Sequence, residues 1–473
     1  MKNNKILLSG LLVLISTPLY AMDLQEFLAT TAKKNKGVQS YEEQISAAEY
    51  KRVAGDIELA PALNAGVSYL SDKSPFNQGL SLQAQGIETT SYNLGLSKKF
   101  STGTSVQAGL NVSDIALIDV PQAVPFPTSL GLSSMSLSVS QSLWKNAFGR
   151  GTRLRQEREM ETADTEKKAA ELQKRLLLVQ AESAFWDYVY NKEELKIREA
   201  SLGRAKRIES WIRRRVNDGI ADQADLLSSQ ALVAARELQL LMAQDEQKAA
   251  EKKIRDVLEL SSDEKTPDLK GDINIRRNLV DIVGGKGPVV SFEARISQLA
   301  ARARQKGAQE AKEGLRSDLV LAGSYKTNAL AEDFDEAMSS FTETDRPTQS
   351  VALTWTYIFD VEAKKATLEN AKKEALAAQL QAERKMLESE TQWSELNRRY
   401  LELSKKIEAA SRISSIQTQR AKAESEKFNK GRSITSNVIN SEEDAAEAEL
   451  TVTKLKTEQR KLEAQSRLFV AAE

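Results

Sequence analysis

The side chains best placed to do chemistry are clustered carboxylates. Glu442, Glu443 and Asp444 stand together, as do Glu193 and Glu194, and adjacent carboxyls are the raw material of a general acid and base. Among 473 residues there is no His and no Cys. That removes the commonest general base, thiolate nucleophiles, disulfides and most metal donors, leaving carboxylates, Lys, Tyr and Ser. Both acidic clusters lie where Glu, Lys, Arg and Gln fill most positions, so solvated helix surface explains them better than catalysis. Gly284-Gly285-Lys286-Gly287 sets a Lys among glycines, yet it lacks phosphate-loop spacing and follows no strand, and it reads as a linker. Arg213 to Arg215 is too short a basic run, with too few aromatics, to mean nucleic acid. The balance of 67 Lys and Arg against 67 Asp and Glu agrees with that. No enzyme, cofactor or metal site is expected.

The elements around these side chains point elsewhere. Lys2 and Lys5, an apolar run from Ile6 to Ile15, then Ser16, Thr17, Pro18 and Ala21 make a secretory leader over residues 1–21, cut after Ala21. Beyond it no apolar run of roughly 18 residues recurs, so a transmembrane helix is not expected. A membrane span would have to be a β-barrel, in which every backbone group is satisfied within the protein.

Two long helical patterns dominate. Leu172, Leu176, Val179, Ser183, Trp186 and Tyr190 alternate steps of four and three, as do Trp393, Leu396, Tyr400, Leu403, Ile407 and Ala410, which is a coiled-coil seam. The first stretch, Thr152 to Val216, is about 65 residues and would reach roughly 100 Å at 1.5 Å per residue. Each pattern then meets a Gly and reverses. RRVNDGIADQADLLSSQALVAAREL from Arg214 to Leu238 aligns without a gap to EKFNKGRSITSNVINSEEDAAEAEL from Glu426 to Leu450, pairing Asn217 with Asn429, Gly219 with Gly431 and Ser229 with Ser441. Gly supplies the positive φ that ends a helix and turns the chain. The internal repeat therefore spans about 212 residues.

The repeat extends upstream, where SYEEQIS from Ser40 resembles SFEARIS from Ser291, and PALNAGVSY from Pro61 matches SDLVLAGSY from Ser317. There the period changes to two. Leu63, Ala65, Val67 and Tyr69 face one way while Asn64, Gly66 and Ser68 face the other. Met135, Leu137 and Val139 alternate with serines, and Val351, Leu353, Trp355, Tyr357 and Phe359 alternate with Ala352, Thr354, Thr356 and Ile358. Trp144, Tyr357 and Phe359 suit an interfacial girdle. Four strands per chain cannot close a barrel, but three copies would supply twelve. Tyr92 to Phe100 and Thr104 to Val112 also alternate about a Ser101-to-Thr104 turn, an extra hairpin read as an extracellular extension of the strands. Residues 72–90, 115–130 and 327–348 read as outward loops. The organisation expected is a leader (1–21), a first repeat of helix, strand pair, long helix, tip and helix (22–260), an equatorial linker (261–288) and a second such repeat (289–473).

The chain resembles the TolC family of outer-membrane efflux proteins. The resemblance rests on the duplicated tips VNDGIADQADLLSSQ and FNKGRSITSNVINSE, the passages SLSVSQSLW and VALTWTYIF, and the leader, and it covers nearly all of the mature chain. It implies an α+β membrane protein: a homotrimer whose strands form one shared twelve-stranded barrel in outer-membrane lipid and whose helices continue as a periplasmic barrel. The tips would close the inner end and meet a periplasmic adaptor (membrane fusion) protein and an inner-membrane transporter of an efflux pump or type I secretion system. Some members place acids six and nine positions after the second tip Gly; here those positions hold Asn437 and Asn440, so acidic rings are absent there. Asp225, six after Gly219, is left to latch the closed state with Lys430 or Arg432. The competing reading is a periplasmic coiled-coil adaptor, but an adaptor usually carries one hairpin between compact β domains, whereas two occur here.

Overall fold

The computed structural model describes residues 22–73, 86–118, 127–284, 288–342 and 345–471, so the leader reading of residues 1–21 lies outside the described residues, as do parts of the loop readings. Chain order runs α1 (Leu24–Lys34), α2 (Lys36–Ala54), β1 (Ala62–Asp72), β2 (Gly86–Lys99), β3 (Thr104–Ile118), β4 (Ser129–Ser142), α3 (Arg150–Asn217) and α4 (Gln223–Val257). It continues with α5 (Leu279–Val283), β5 (Val289–Ser291), α6 (Phe292–Gly314), β6 (Asp318–Lys326), β7 (Ala329–Ala331), α7 (Phe334–Ser339), β8 (Thr348–Thr356), α8 (Val361–Asn429), α9 (Thr435–Ser466) and β9 (Phe469–Ala471). The fold class is α+β, as expected. Contacts divide the chain into two units: Met1–Ile45, Lys168–Ala294 and Met386–Glu473 form one, Ser46–Lys167 and Arg295–Lys385 the other.

Helices α3 and α8 run for 68 and 69 residues, because nothing in either stretch interrupts the ladder until the tip glycine. No helix among the described residues is long and apolar enough to cross a membrane. In the first unit the predicted seams are buried: Leu172, Val179 and Trp186 on α3, Leu396, Tyr400 and Leu403 on α8. Two cores form on them. Phe27, Phe185, Trp186, Ile254 and Leu269 make one, with Phe185 and Trp186 edge to face at 5.2 Å. Leu279, Val283, Tyr400, Leu462 and Phe469 make the other. The connecting segment after α4 thus packs on the helices as a belt, and Gly271 lets it approach: a Cβ there would lie 2.8 Å from the Trp186 ring. Strands β5 and β9 pair antiparallel beside the second core.

One ionic group is sealed into that second core. Arg460 bonds Glu463 at 2.8 Å with both side chains nearly inaccessible, and the Tyr400 hydroxyl donates to the same carboxylate at 3.1 Å. Burial pushes the Glu463 carboxyl up, against the opposing pull of Arg460.

The second unit holds the sheet, ordered β1-β2-β3-β4-β6-β8, with β7 extending alongside β4. Every pairing is antiparallel. Strand-pair counting gives four strands; the sheet has six long ones. The difference is the hairpin β2–β3, which the alternation at Tyr92 to Val112 signals and which the sequence places outside the sheet, as an outward extension. Instead it runs the full height of the sheet between β1 and β4. Its turn sits where the strands meet the helices: the Ser142 N–H donates to the Gly103 carbonyl at 3.2 Å, and Gly149, at φ +80°, packs so closely that a Cβ would stand 1.6 Å from the Ser101 oxygen. The first repeat therefore carries four strands, not a pair. Strand β8 also stops at Thr356, earlier than Phe359, because Asp360 caps α8 through the Ala363 N–H at 2.8 Å. The loop reading at 327–348 contains β7 and α7; α7 lies on the sheet with Phe334 against Tyr92 at 5.4 Å and Ala337 over Gly131.

Register aligns two opposite faces over all six strands. Ala65, Leu94, Leu110 and Met135 form one apolar row, and Leu63, Leu96, Ala108, Leu137 and Tyr325 the next. On the other face Gly66, Asn93, Asn111 and Ser134 align, as do Ser97, Gln107, Ser138, Ser324 and Ser350. Polar neighbours there bond across strands: Ser91 with Ser113 at 2.9 Å, Ser324 with Ser350 at 2.7 Å, and Asn111 with Asn93.

Gly149→Ala is expected to lower the melting temperature by several degrees, on the order of 2 kcal/mol, because it strains a positive φ and strikes the β2–β3 turn. Gly323→Ala, with no atom within 4 Å of the added carbon, is the control and leaves it unchanged. Because the folded pKa of Glu463 is raised, its contribution is fully present below the ordinary value of 4.5 and is lost as pH rises through the raised one. Wild-type stability should therefore fall relative to Glu463→Gln as pH climbs above 4.5, measured as denaturation midpoints across that range.

Candidate functional site

The two tips are built on one hydrogen-bond plan. At the end of α3 the Gly219 N–H donates to the Val216 carbonyl at 3.0 Å and the Ile220 N–H to the Arg215 carbonyl at 2.8 Å. At the end of α8 the Gly431 N–H donates to Phe428 at 2.9 Å and the Arg432 N–H to Lys427 at 2.8 Å. Gly219 and Gly431 have φ +67° and +70°, so each satisfies the helix's last carbonyls from a left-handed residue. Asn217 and Asn429 are the exposed final helical residues. The aligned serines behave alike too. Ser229 and Ser441 are fully buried, donating to the Leu226 carbonyl at 2.7 Å and the Val438 carbonyl at 3.0 Å.

What joins the tips is apolar. Ile208 and Ile212 of α3, Phe428 of α8 and Val438 of α9 form a buried cluster, flanked by Trp211, Val216 and Leu226. The Trp211 and Phe428 rings meet at 4.1 Å, and the Arg215 guanidinium lies over Trp211 at 4.6 Å, a cation–π contact. Sequence reasoning missed Trp211. Its signal was there: it stands one residue before Ile212 on the last turns of α3, where an aromatic on a charged helix has to find a partner.

The predicted latch charges are not brought together within the chain. Asp225 is half-buried on the first turn of α4 and Lys430 and Arg432 are exposed, with no ion pair among the described residues linking Asp225 to either. Asn437 and Asn440 lie exposed on α9. The charge work near the second tip is done elsewhere: Lys427 at 2.8 Å and the Ser433 hydroxyl at 2.7 Å both bind Glu424 and hold its carboxyl below the usual range. The carboxylates first considered for catalysis are also spoken for. Glu442 pairs with Arg204 at 2.6 Å, Glu443 with the buried Arg236 at 3.5 Å, and Asp444 with Arg420 at 2.9 Å. Glu193 and Glu194 pair with Lys196 and Arg198 on their own helix. Each of these carboxylates has a cation beside it: the first three pairs join helices, and the last two brace a single turn of α3. Among the described residues there is no group of three or more Asp or Glu that could hold a metal ion.

The sheet is the second functional surface. Its apolar face is open on the edge strands, where Val67 is 70% exposed, Leu353 64% and Trp355 60%, and α7 covers it where Phe334 meets Tyr92 and Val112 is buried. Where the strands pass into helices, aromatics gather. Trp355 stacks on Tyr357 at 5.9 Å, Tyr357 meets Phe359 at 5.1 Å, and the Lys364 ammonium sits 3.9 Å over Tyr357. Trp144, Phe148 and Phe100 are exposed at the same end. A belt of amphipathic rings and lysines bordering an aliphatic band is the pattern of a membrane interface.

Phe428→Ala is expected to cost about 3 kcal/mol, since it empties the joint of both tips. Backbone amides at 208–216 and 426–440 should then exchange faster with deuterium while those of the cores around Phe185 and Tyr400 keep their protection.

No family model and no curated protein matches the chain. Solved structures do. The outer-membrane channel OprN aligns at 16% identity and TM-score 0.67 over 94% of this chain and 89% of that one. The outer-membrane protein VceC from Vibrio cholerae aligns at 10% identity and TM-score 0.65 over 94% of each chain. The open state of the Neisseria gonorrhoeae MtrE outer-membrane channel aligns at 15% and 0.64 over 94% of this chain and 88% of that one. With its duplicated tips, its paired long helices and its two-faced sheet, the chain has the fold of these outer-membrane channels, the TolC-like fold that its sequence implied.

Proposed function

We propose that the chain is one protomer of a homotrimeric outer-membrane exit duct, a passive conduit and not an enzyme. It takes cargo from a periplasmic adaptor and an inner-membrane transporter, in an efflux pump or a type I secretion system, and releases it outside. The observation that carries this reading is a sheet with one largely open aliphatic face, one hydroxyl and amide face, and edge strands β1 and β8 that pair on one side only among the described residues. In lipid such edges have to be paired, and copies of the same chain supply the pairing. The fold shared with solved outer-membrane channels supports the same conclusion.

The tips are the gate in this reading. Their apolar joint of Trp211, Phe428 and Val438 holds each protomer's hairpins together, and Asp225, Lys430 and Arg432 remain available to bond across protomers. An exposed ion pair contributes only about 0 to 1 kcal/mol, so a charged latch acts through its threefold repetition. The helix seams and the carboxylate–arginine pairs are structural on this view. They keep long hairpins in register while the tips move.

The test is planar-bilayer conductance of the detergent-extracted trimer, together with its fractionation. Small, long-lived steps from a heat-modifiable trimer of the outer-membrane fraction, enlarged several-fold by Asp225→Ala or Arg432→Ala, are expected. Soluble periplasmic protein without conductance would transfer the reading to an adaptor. Unchanged steps in both variants would remove the latch and leave the duct.

A further inference from the structure

Hairpin β2–β3 occupies the middle of the first half of the sheet, and its side chains decide what it is doing there. A hairpin folded into a lumen as a plug, or hung outside as an extension, would break the pattern of its neighbours. This one continues it. On β2, Tyr92, Leu94 and Leu96 stand in the rows of Val67, Ala65 and Leu63; on β3, Val112, Leu110 and Ala108 carry the same rows on to Ser133, Met135 and Leu137 of β4. The intervening residues Asn93, Gly95, Gly109 and Asn111 extend the polar face in the same way. Length agrees. Strands β2 and β3 have 14 and 15 residues, more than the nine to eleven that cross a bilayer at a tilt. The turn is also held at the helical end by Gly149 and Asn146, so both strands run the sheet's full height.

We infer that β2 and β3 are two additional transmembrane staves, so that three protomers close a barrel of eighteen strands instead of twelve. The inference rests on the trimeric duct proposed above. Its consequence is width. With strands about 4.8 Å apart and tilted by about 40°, an eighteen-stranded barrel has a backbone diameter of about 36 Å against about 24 Å for twelve. A side-chain layer of about 5 Å on each wall leaves a lumen of about 26 Å against about 14 Å. Across β1 to β4 the central polar rows are chiefly Ser, Asn, Gln and Gly, and Lys326 of β6 joins the row of Asn64, Gly95, Gly109 and Ser136, so the wall adds one cation per protomer to a lumen whose width admits solutes that a twelve-stranded wall would stop.

The chain has no native cysteine, which makes engineered ones clean reporters. In outer membranes oxidised without further treatment, Ala65→Cys with Leu94→Cys should close a disulfide within a protomer, and Ala65→Cys with Met135→Cys should not. Single cysteines at Leu94 and Leu110 should react several-fold faster with a lipid-soluble maleimide than with a charged one, and Asn93 and Asn111 the reverse. If the Ala65–Met135 pair closes, or if all four hairpin positions react with the charged reagent from water, the hairpin lies outside the wall and the barrel has twelve strands. Wild-type trimers that conduct would leave the duct standing in that case. Absence of trimers and conductance would instead sink the duct itself.

Discussion

Backbone hydrogen bonding at the two open edges of the sheet is the constraint on which the rest depends. Strands β1 and β8 each pair on one side only among the described residues, and both carry their side chains almost wholly exposed. In water such edges are a hazard for aggregation; in hydrocarbon each unsatisfied peptide group costs several kcal/mol. A chain that makes an aliphatic sheet face and then stops with two free edges is therefore unfinished alone. In the duct proposed above its partners are other copies, and the helices that follow the strands then have to accept the symmetry that the edges impose.

The helical unit is adapted to that demand by economy of specific contacts. Over lengths of 68 and 69 residues, α3 and α8 bury narrow seams and carry many ion pairs on their other faces, some of them shared, as where Arg398 holds both Glu395 and Glu402. Most of those pairs are exposed and contribute little to stability. They set register instead. The apolar clusters at Phe185, at Tyr400 and at the tips are where the packing energy concentrates. A gate requires that distribution, with firm joints separated by segments that cost little to move.

The tips show how duplication and divergence share a structure. The two principal hydrogen bonds at Gly219 and Gly431 coincide, because a helix ending on a left-handed glycine has few other ways to satisfy its last carbonyls. The side chains around that plan have diverged. Val216 in the first tip corresponds to Phe428 in the second, and the larger ring finds Trp211 across the joint. Two similar hairpins thereby become complementary.

Patterns of short period were legible in the residues. The seams, the glycine turns, the two-faced strands and the repeat all follow from local rules, and the TolC-like fold class follows from their order. The strand count did not, although the alternation at Tyr92 to Val112 was visible. Whether an alternating segment joins a sheet or extends beyond it depends on which strands it neighbours, and here that is set by β2 pairing with β1 and β3 pairing with β4. The partners of Asp225 were equally out of reach, since a helix tip's charges find their distances only when helices are placed. Sequence alone therefore determined the kinds of element and their order, because helix and strand periodicity are properties of successive residues. The tertiary structure decided the number of strands, the Trp211–Phe428 joint and the pairing of Glu442, Glu443 and Asp444 with arginines of other helices, because those are fixed by long-range packing that no local pattern encodes.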